Sequence, residues 1–169
     1  FIQISTKLKI KLIGDQKFYL RKVLKLQLTH SNNIASEKPL VSVIINCFNG
    51  EKYLREALDS VITQTYKNWE IIFWDNQSTD KSAEIFKSYK DNRLKYYRAS
   101  SHADILYEAR NYALKKVNGD FIAFLDVDDS WLPNKLEKQI PLFDDPEVGL
   151  VYGNEWRIYE KKNKKEIHR

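Results

Sequence analysis

Three carboxylates, Asp126, Asp128 and Asp129, end a short apolar run that begins at Phe121. The run has the composition of a buried strand in a parallel sheet. Asp126 and Asp128 are two residues apart, so on an extended chain their side chains point the same way. Carboxylates so close together repel unless a cation lies among them, and Mg²⁺ and Mn²⁺ favour such oxygen ligands. The pattern predicts a divalent metal site; the alternative is a solvated turn in which an Asp caps the next helix.

Two further polar segments follow apolar runs, residues 46–50 after the run 41–45 and residues 75–80 after the run 69–74. Amphipathic helical patterns separate these runs, and strand and helix alternate four times with short connections. This order predicts an α/β fold, a mostly parallel Rossmann-like sheet with helices on both faces, and residues 149–152 are a predicted fifth strand. Ligands bind such sheets beyond the carboxyl ends of the strands, so we expect the polar segments to converge on one cleft.

The side chains in these segments suit a nucleoside diphosphate. Phe48 can stack on a base, and Asn76 can hydrogen-bond a base edge. Asp126 can accept from ribose hydroxyls, while Asp128 holds a metal between two phosphates. The sequence has neither a Walker loop nor a G-x-G-x-x-G motif. His102 and His168 are expected to be solvated rather than ligands.

The net charge of +5 is unevenly distributed. Residues 1–38 carry net +6 and residues 157–169 net +4, whereas the middle carries net −5. We therefore expect a basic N-terminal extension at 1–38, with a strand, a helix and a linker, a nucleotide-binding domain at 39–156, and a basic polar end at 157–169. The basic extension either contacts an anionic membrane surface or is a solvated tail. The single cysteine, Cys47, excludes an internal disulfide framework.

The middle of the chain resembles a known enzyme family over about 120 residues. The matching pieces come in this order: Val41-Ser-Val-Ile-Ile with Phe48-Asn49, Leu54-x-x-Ala-Leu-x-Ser60 with Gln64-Thr65, Asp75-x-x-Ser78-Thr79-Asp80, Ala109-Arg110-Asn111, Gly119-Asp120, and Asp126-x-Asp128-Asp129 before Pro133. In this order and spacing they are similar to the nucleotide-binding half of inverting family-2 glycosyltransferases with the GT-A fold. The resemblance implies a nucleoside-diphosphate sugar donor, Mn²⁺ or Mg²⁺, and transfer with inversion to an acceptor hydroxyl.

The resemblance also assigns roles to individual residues. It implies a donor site formed by Phe48, Asn49, Asp75, Asn76, Arg110, Asp126 and Val127, with metal ligands Asp128 and Asp126. Asn76 replaces the second acid of the family's Asp-Asp-Gly-Ser loop, which leaves uracil favoured but base identity open, and Gln77 replaces its glycine. The expected setting is bacterial polysaccharide biosynthesis on a carbohydrate or lipid-linked acceptor, in the cytoplasm or at the inner face of the membrane, with no nucleic acid partner.

Two departures from the family pattern limit the expected activity. Residues 100–104 replace an Asn-x-Gly segment, and the general base that inversion requires has no counterpart in this sequence. We expect donor binding without efficient transfer. One alternative is a nucleotidyltransferase-like enzyme, which requires a glycine-rich basic loop after the first strand, and residues 46–50 are not such a loop. The other alternative is a non-catalytic nucleotide-binding or interaction module.

Overall fold

A computed structural model describes residues 38–159 and 164–168 of the chain. The strand and helix predicted for the N-terminal extension lie outside the described residues. The described residues divide into two units, one that ends at Asn134 and a second that begins at Lys135. The predicted site residues all belong to the first unit.

The first unit contains a four-stranded parallel sheet with the order β3-β2-β1-β4. Its strands are β1 (Val41–Cys47), β2 (Trp69–Asp75), β3 (Leu94–Arg98) and β4 (Phe121–Asp126). At the carboxyl end of β1, Asn46 is in register with Trp74 and Asp126, and Cys47 is in register with Asp75. Because these strands end level with one another, the segments that follow them start from one edge of the sheet.

Helices cover both faces of the sheet, as predicted. They are α1 (Leu54–Ile62), α2 (Ser82–Ser88) and α3 (Leu106–Leu114). On one face, Ile72 and Trp74 of β2 pack in a cluster with Ala109 and Ala113 of α3. Phe73 lies between those two strand residues and points to the other face, where its ring stacks on Phe86 of α2 at 4.5 Å. The alternation along β2 therefore attaches a helix to each face.

The strand that ends at Asp126 is less buried than its composition predicts. Leu125 is buried, but Phe124 is 38% exposed. Among the described residues β4 pairs only with β1, so it is the edge strand of this sheet. Apolar composition indicated a strand correctly but did not reveal its position in the sheet, because edge and central strands share that composition.

The second unit has short elements of a different kind. Helix α4 (Lys135–Gln139) continues into a 3₁₀ helix at Ile140–Asp144, and strands β5 (Glu155–Tyr159) and β6 (Lys164–His168) pair antiparallel. The prediction of a strand at 149–152 is wrong, since the strand starts at Glu155 and pairs with β6. Leu150 and Tyr152 are 58% and 57% exposed, so neither lies in a core. No helix in the described part of the chain is long and apolar enough to cross a membrane.

Candidate functional site

The segments that follow β1 and β2 are joined by hydrogen bonds. The backbone N–H of Asn76 donates to the carbonyl of Cys47 at 2.8 Å. Asn49 accepts through Oδ1 from the backbone N–H of Thr79 at 2.8 Å, and its own N–H donates to Oγ of Ser78 at 3.0 Å. Asn49 thus connects two loops and does not cap α1. These bonds fix the two segments against each other beyond the sheet edge.

The third segment is in contact with the first. A Cβ atom added to Gly50 would lie 2.6 Å from Cγ2 of Val127, closer than real atoms approach. Val127 lies within a turn, since the backbone N–H of Asp129 donates to the carbonyl of Asp126 at 3.0 Å. All three predicted polar segments therefore meet at one edge of the sheet, and glycine at position 50 is what makes the last contact sterically possible.

The turn changes the expected relation between the two predicted metal ligands. The chain does not continue extended past Asp126, so the two-residue spacing does not by itself align Asp126 with Asp128. Asp126 is half-exposed and Asp128 is exposed. No group of three or more His, Cys, Asp or Glu residues that could hold a metal occurs among the described residues. Two carboxylates still fit Mg²⁺ or Mn²⁺, because these ions complete their coordination with substrate phosphates and water.

Arg110 supplies a positive charge beside the strand end. Its Nη2 lies 2.6 Å from Oδ1 of Asp126. The guanidinium carbon is also 5.1 Å from the centroid of the Phe124 ring, within cation–π range. The carboxylate of Asp126 at the end of β4 is therefore already paired. Arg110 forms this ion pair with a residue of a strand and not with a neighbour on its own helix. This contact places Arg110 of α3 beside the carboxyl end of β4.

Asp75, at the end of β2, has its carboxylate fully used by the protein. Its side chain is 0% exposed. Oδ1 accepts from the backbone N–H of Ser78 at 2.7 Å, and Oδ2 accepts from the Tyr96 hydroxyl at 2.5 Å and from Nη1 of Arg98 at 3.2 Å. Burial, together with the bond to Asp75, raises the pKa of Tyr96 to about 12. Asp75, which was predicted to bind the donor, therefore anchors its own loop, and its carboxylate is buried away from a ligand.

Phe48 and Asn76, the predicted base contacts, differ in exposure. Phe48 is 51% exposed and its ring lies 4.4 Å from that of His102. Asn76 is 7% exposed, and its amide bonds the backbone of Ala103. Sequence reasoning treated His102 as solvated and missed this contact. The sequence did hold one indication of this contact, because His102 lies in the segment 100–104 that departs from the family pattern.

Two non-glycine residues in the loops have a left-handed backbone. Asn49 has φ 53° and Gln77 has φ 68°. Asparagine tolerates this conformation, but for glutamine it costs about 1 kcal/mol or more. Gln77 stands where the related loop has glycine, and its side-chain amide donates to the carbonyl of Ala99. The position therefore keeps the conformation that glycine favours.

Asn46 is a further polar residue that sequence reasoning did not assign to the site. It is 9% exposed, and both polar atoms of its amide are buried without a hydrogen-bond partner. The indole Nε1 of Trp74, which is in register with Asn46 on the neighbouring strand, is also buried without a hydrogen-bond partner. The signal in the sequence was a polar residue directly after the apolar run 41–45.

Comparisons with known proteins agree with this architecture. Residues 42–169 match the sequence profile of the family described as Glycosyl transferase family 2. The UDP-Glc:alpha-D-GlcNAc-diphosphoundecaprenol beta-1,3-glucosyltransferase WfgD of Escherichia coli is 40% identical over 115 residues, which are 68% of this chain and 45% of that protein.

Solved structures show the same fold. S. aureus TarS 1–349 in complex with UDP-GlcNAc superposes with a TM-score of 0.59 at 31% identity, covering 62% of this chain and 31% of that chain. The mannosyltransferase PcManGT of Pyrobaculum calidifontis superposes with a TM-score of 0.60 at 21% identity, covering 78% of this chain and 42% of that one. The chain spans less than half the length of these proteins. With the GT-A fold and the ordered motifs present, the chain belongs to glycosyltransferase family 2.

Proposed function

We propose that this domain binds a nucleoside-diphosphate sugar and serves as the donor half of an inverting glycosyltransferase. The observation that carries the proposal is the edge of the sheet where Phe48, Asp126 and Asp128 are accessible and Arg110 adds a positive charge. An aromatic ring, two carboxylates and a guanidinium match the base, ribose and diphosphate of such a donor.

Each accessible side chain has a distinct task in this proposal. The half-exposed ring of Phe48 offers an apolar surface for the base. Asp126 accepts hydrogen bonds from the ribose, and Arg110 holds its carboxylate in place through the 2.6 Å contact. Arg110 also lowers the electrostatic cost of bringing a diphosphate close to the acidic turn. Asn49 keeps the loop that carries Phe48 attached to the loop after β2.

A divalent cation would be held by Asp128, with Asp126 beside it. When bound, it would stabilise the negative charge that develops on the departing diphosphate. The exposure of Asp128 leaves its oxygens accessible, and the turn that holds it is fixed in place by Val127 against Gly50. We propose Mn²⁺ or Mg²⁺ because carboxylate oxygens shared with phosphates suit both ions.

The remaining parts of the proposal concern donor, acceptor and location. The structure of the S. aureus relative contains UDP-GlcNAc, which supports a nucleotide-sugar donor whose base is uracil. The name of the E. coli relative supports a lipid-linked acceptor in bacterial polysaccharide synthesis. Such an acceptor would place the protein in the cytoplasm at the inner face of the membrane, where the net +6 of residues 1–38 would favour contact with anionic lipids.

Donor binding can be tested by isothermal titration calorimetry on the 169-residue chain with UDP, UDP-sugars and GDP, with and without Mn²⁺. We expect UDP binding that depends on Mn²⁺ and falls at least about tenfold in Asp128→Ala, because one ligand to the cation is lost. Glu84→Ala, which removes an exposed acid from α2, is the matched control and should bind like the wild type.

Two outcomes would contradict the proposal. If no nucleoside diphosphate or nucleotide sugar binds at any Mn²⁺ concentration, the donor-site assignment is wrong. If UDP binds equally well without the cation and in Asp128→Ala, the base and ribose assignments stand but the role given to Asp128 fails.

A further inference from the structure

The side-chain amide of Asn76 is committed to one peptide group. Its Nδ2 donates to the carbonyl of Ala103 at 2.8 Å, and its Oδ1 accepts from the N–H of Ala103 at 2.9 Å. Asn76 is also 7% exposed. Each polar atom of the amide therefore has a partner inside the protein, and at 7% exposure Asn76 offers a base edge little surface.

The backbone carbonyl of Asn76 orients a neighbouring imidazole. Nδ1 of His102 lies 2.9 Å from this carbonyl oxygen. A carbonyl only accepts, so Nδ1 must carry the hydrogen. The 3.3 Å approach of Nδ1 to the side-chain nitrogen of Asn76 then joins two donors and is not a hydrogen bond. The contact with Asn76 therefore places a hydrogen on Nδ1 and orients the ring, whose other nitrogen, Nε2, lies 3.8 Å from Oδ1 of Asp104.

The segment that carries His102 is tied to the sheet at both ends. The N–H of Ala99 donates to the carbonyl of Asp75 at 2.8 Å. Ala103 packs against the apolar cluster beneath α3, in addition to its two bonds with Asn76. His102 thus lies on a backbone that is held from both sides, which suits a residue that has to support another side chain.

The residue that His102 supports is Phe48. The two ring centroids are 4.4 Å apart, with planes inclined by 57°. Phe48 is 51% exposed, so part of its ring surface is still open to a ligand. An exposed phenylalanine on a loop samples several rotamers, and contact with a fixed ring reduces that freedom before a ligand arrives.

We propose that His102 is a positioning residue for the nucleobase: oriented by Asn76, its ring holds Phe48 in the direction that stacks on the base of the donor. The inference rests on the proposed function and deepens it. Asn76 then contributes indirectly, through His102 and Ala103, and not by reading the base edge. Recognition at this point is stacking, which the aromatic face of any nucleobase can provide.

The test compares a ligand that has a base with one that lacks it. Calorimetry on the 169-residue chain in Mg²⁺ would measure the affinities for UDP, GDP and inorganic pyrophosphate in His102→Ala, His102→Phe and His102→Asn. We expect His102→Ala to weaken UDP and GDP alike by about fivefold or more, since the stacking ring loses its support. Pyrophosphate affinity should not change.

The other two variants separate the ring from the hydrogen bond. His102→Phe keeps a ring against Phe48 and should recover most of the UDP affinity. His102→Asn keeps a donor for the Asn76 carbonyl without the ring and should behave like His102→Ala. Ser101→Ala, an exposed neighbour on the same segment, is the matched control and should bind all three ligands normally. Thermal unfolding of each variant reports on the fold separately.

Four outcomes would overturn the inference. Equal losses for UDP and pyrophosphate would show a general structural role. A loss for UDP alone, with GDP unchanged, would show that His102 reads the base edge. Unchanged UDP affinity in His102→Ala would contradict this inference only, leaving the proposed function intact. If the wild type binds neither UDP nor GDP in Mg²⁺ or in Mn²⁺, the proposed function is wrong and this inference fails with it.

Discussion

Asp75 and Asp126 end the two strands that flank β1, yet their environments are opposite. The side chain of Asp75 is 0% exposed and accepts from a backbone N–H, a phenol and a guanidinium. The side chain of Asp126 is 49% exposed and forms an ion pair with Arg110. One carboxylate organises the protein, and the other remains accessible to a ligand.

The difference shows that an acid at a strand end is not in itself evidence of binding. Both aspartates follow apolar runs, and both were predicted to contact the donor. The two acids differ in the hydrogen-bond donors that neighbouring elements provide, since β3 brings Tyr96 and Arg98 to Asp75. Position in the sheet, and not residue type, therefore decides which role an acid takes.

The largest expected effect comes from the matched pair Asp75→Asn and Asp126→Asn. Asp75→Asn removes the charge from a buried acceptor of several hydrogen bonds, so the free energy of unfolding should fall by about 3 kcal/mol. Asp126→Asn breaks a partly exposed pair and should cost less than about 1 kcal/mol, while UDP affinity falls about tenfold or more. Urea denaturation and calorimetry measure the two quantities. Equal destabilisation by both variants would remove the distinction between the two acids.

A smaller effect is expected when one donor to Asp75 is deleted. Tyr96→Phe removes the phenol–carboxylate bond and should lower the free energy of unfolding by about 1.5 kcal/mol at neutral pH, since the acceptor is charged. Because the pKa of Tyr96 is raised from 10.0 to about 12 in the folded state, the native protein holds this proton more tightly. Wild-type stability should therefore fall as pH rises from 10 towards 12.

The alkaline fall has a second contributor that serves as a control. Burial, and then the charge of Asp120, raises the pKa of Tyr66 to about 12. Tyr66 donates to the carbonyl of Pro39, far from Asp75 in the register of the sheet. Tyr96→Phe and Tyr66→Phe should each make the dependence on pH shallower in urea titrations between pH 9 and about 11. A slope that neither variant changes would contradict the raised pKa values.

The smallest effect tests the loop that Asp75 anchors. Gln77 has φ 68°, so Gln77→Gly should be more stable than Gln77→Ala by about 1 kcal/mol, because alanine keeps the conformational strain. Neither variant should change UDP affinity by more than about twofold, since the strain lies on the Asp75 side of the site. Equal stability of the two variants, measured by thermal unfolding, would show that the loop does not require the left-handed backbone in solution.

Most of the fold could be predicted from the sequence because its signals are local. Alternating apolar runs and amphipathic stretches gave four parallel strands with helices on both faces, and the ordered motifs gave the family. The edge position of β4 and the absence of a strand at 149–152 could not be predicted in the same way. Both depend on which strand finds a pairing partner, and composition does not carry that information.

The candidate site was less accessible to prediction than the fold. The three polar segments were identified, but the engagement of Asn76 by Ala103 and the contact of His102 with Phe48 arise between segments far apart in sequence. Such contacts depend on loop conformation, for which the pattern of residue types gives no rule. The assignments of donor and metal ligands stay predictions until binding is measured.

The contact between Gly50 and Val127 has a consequence for any attempt to redesign donor preference. Because no side chain fits at position 50, the loop that carries the aromatic ring and the turn that carries the acids cannot be exchanged separately between homologous enzymes. A graft of one without the other would bring together surfaces that did not evolve as a pair. The two segments should therefore be transferred together. Among homologous enzymes, changes of residue at position 50 should be accompanied by changes at position 127.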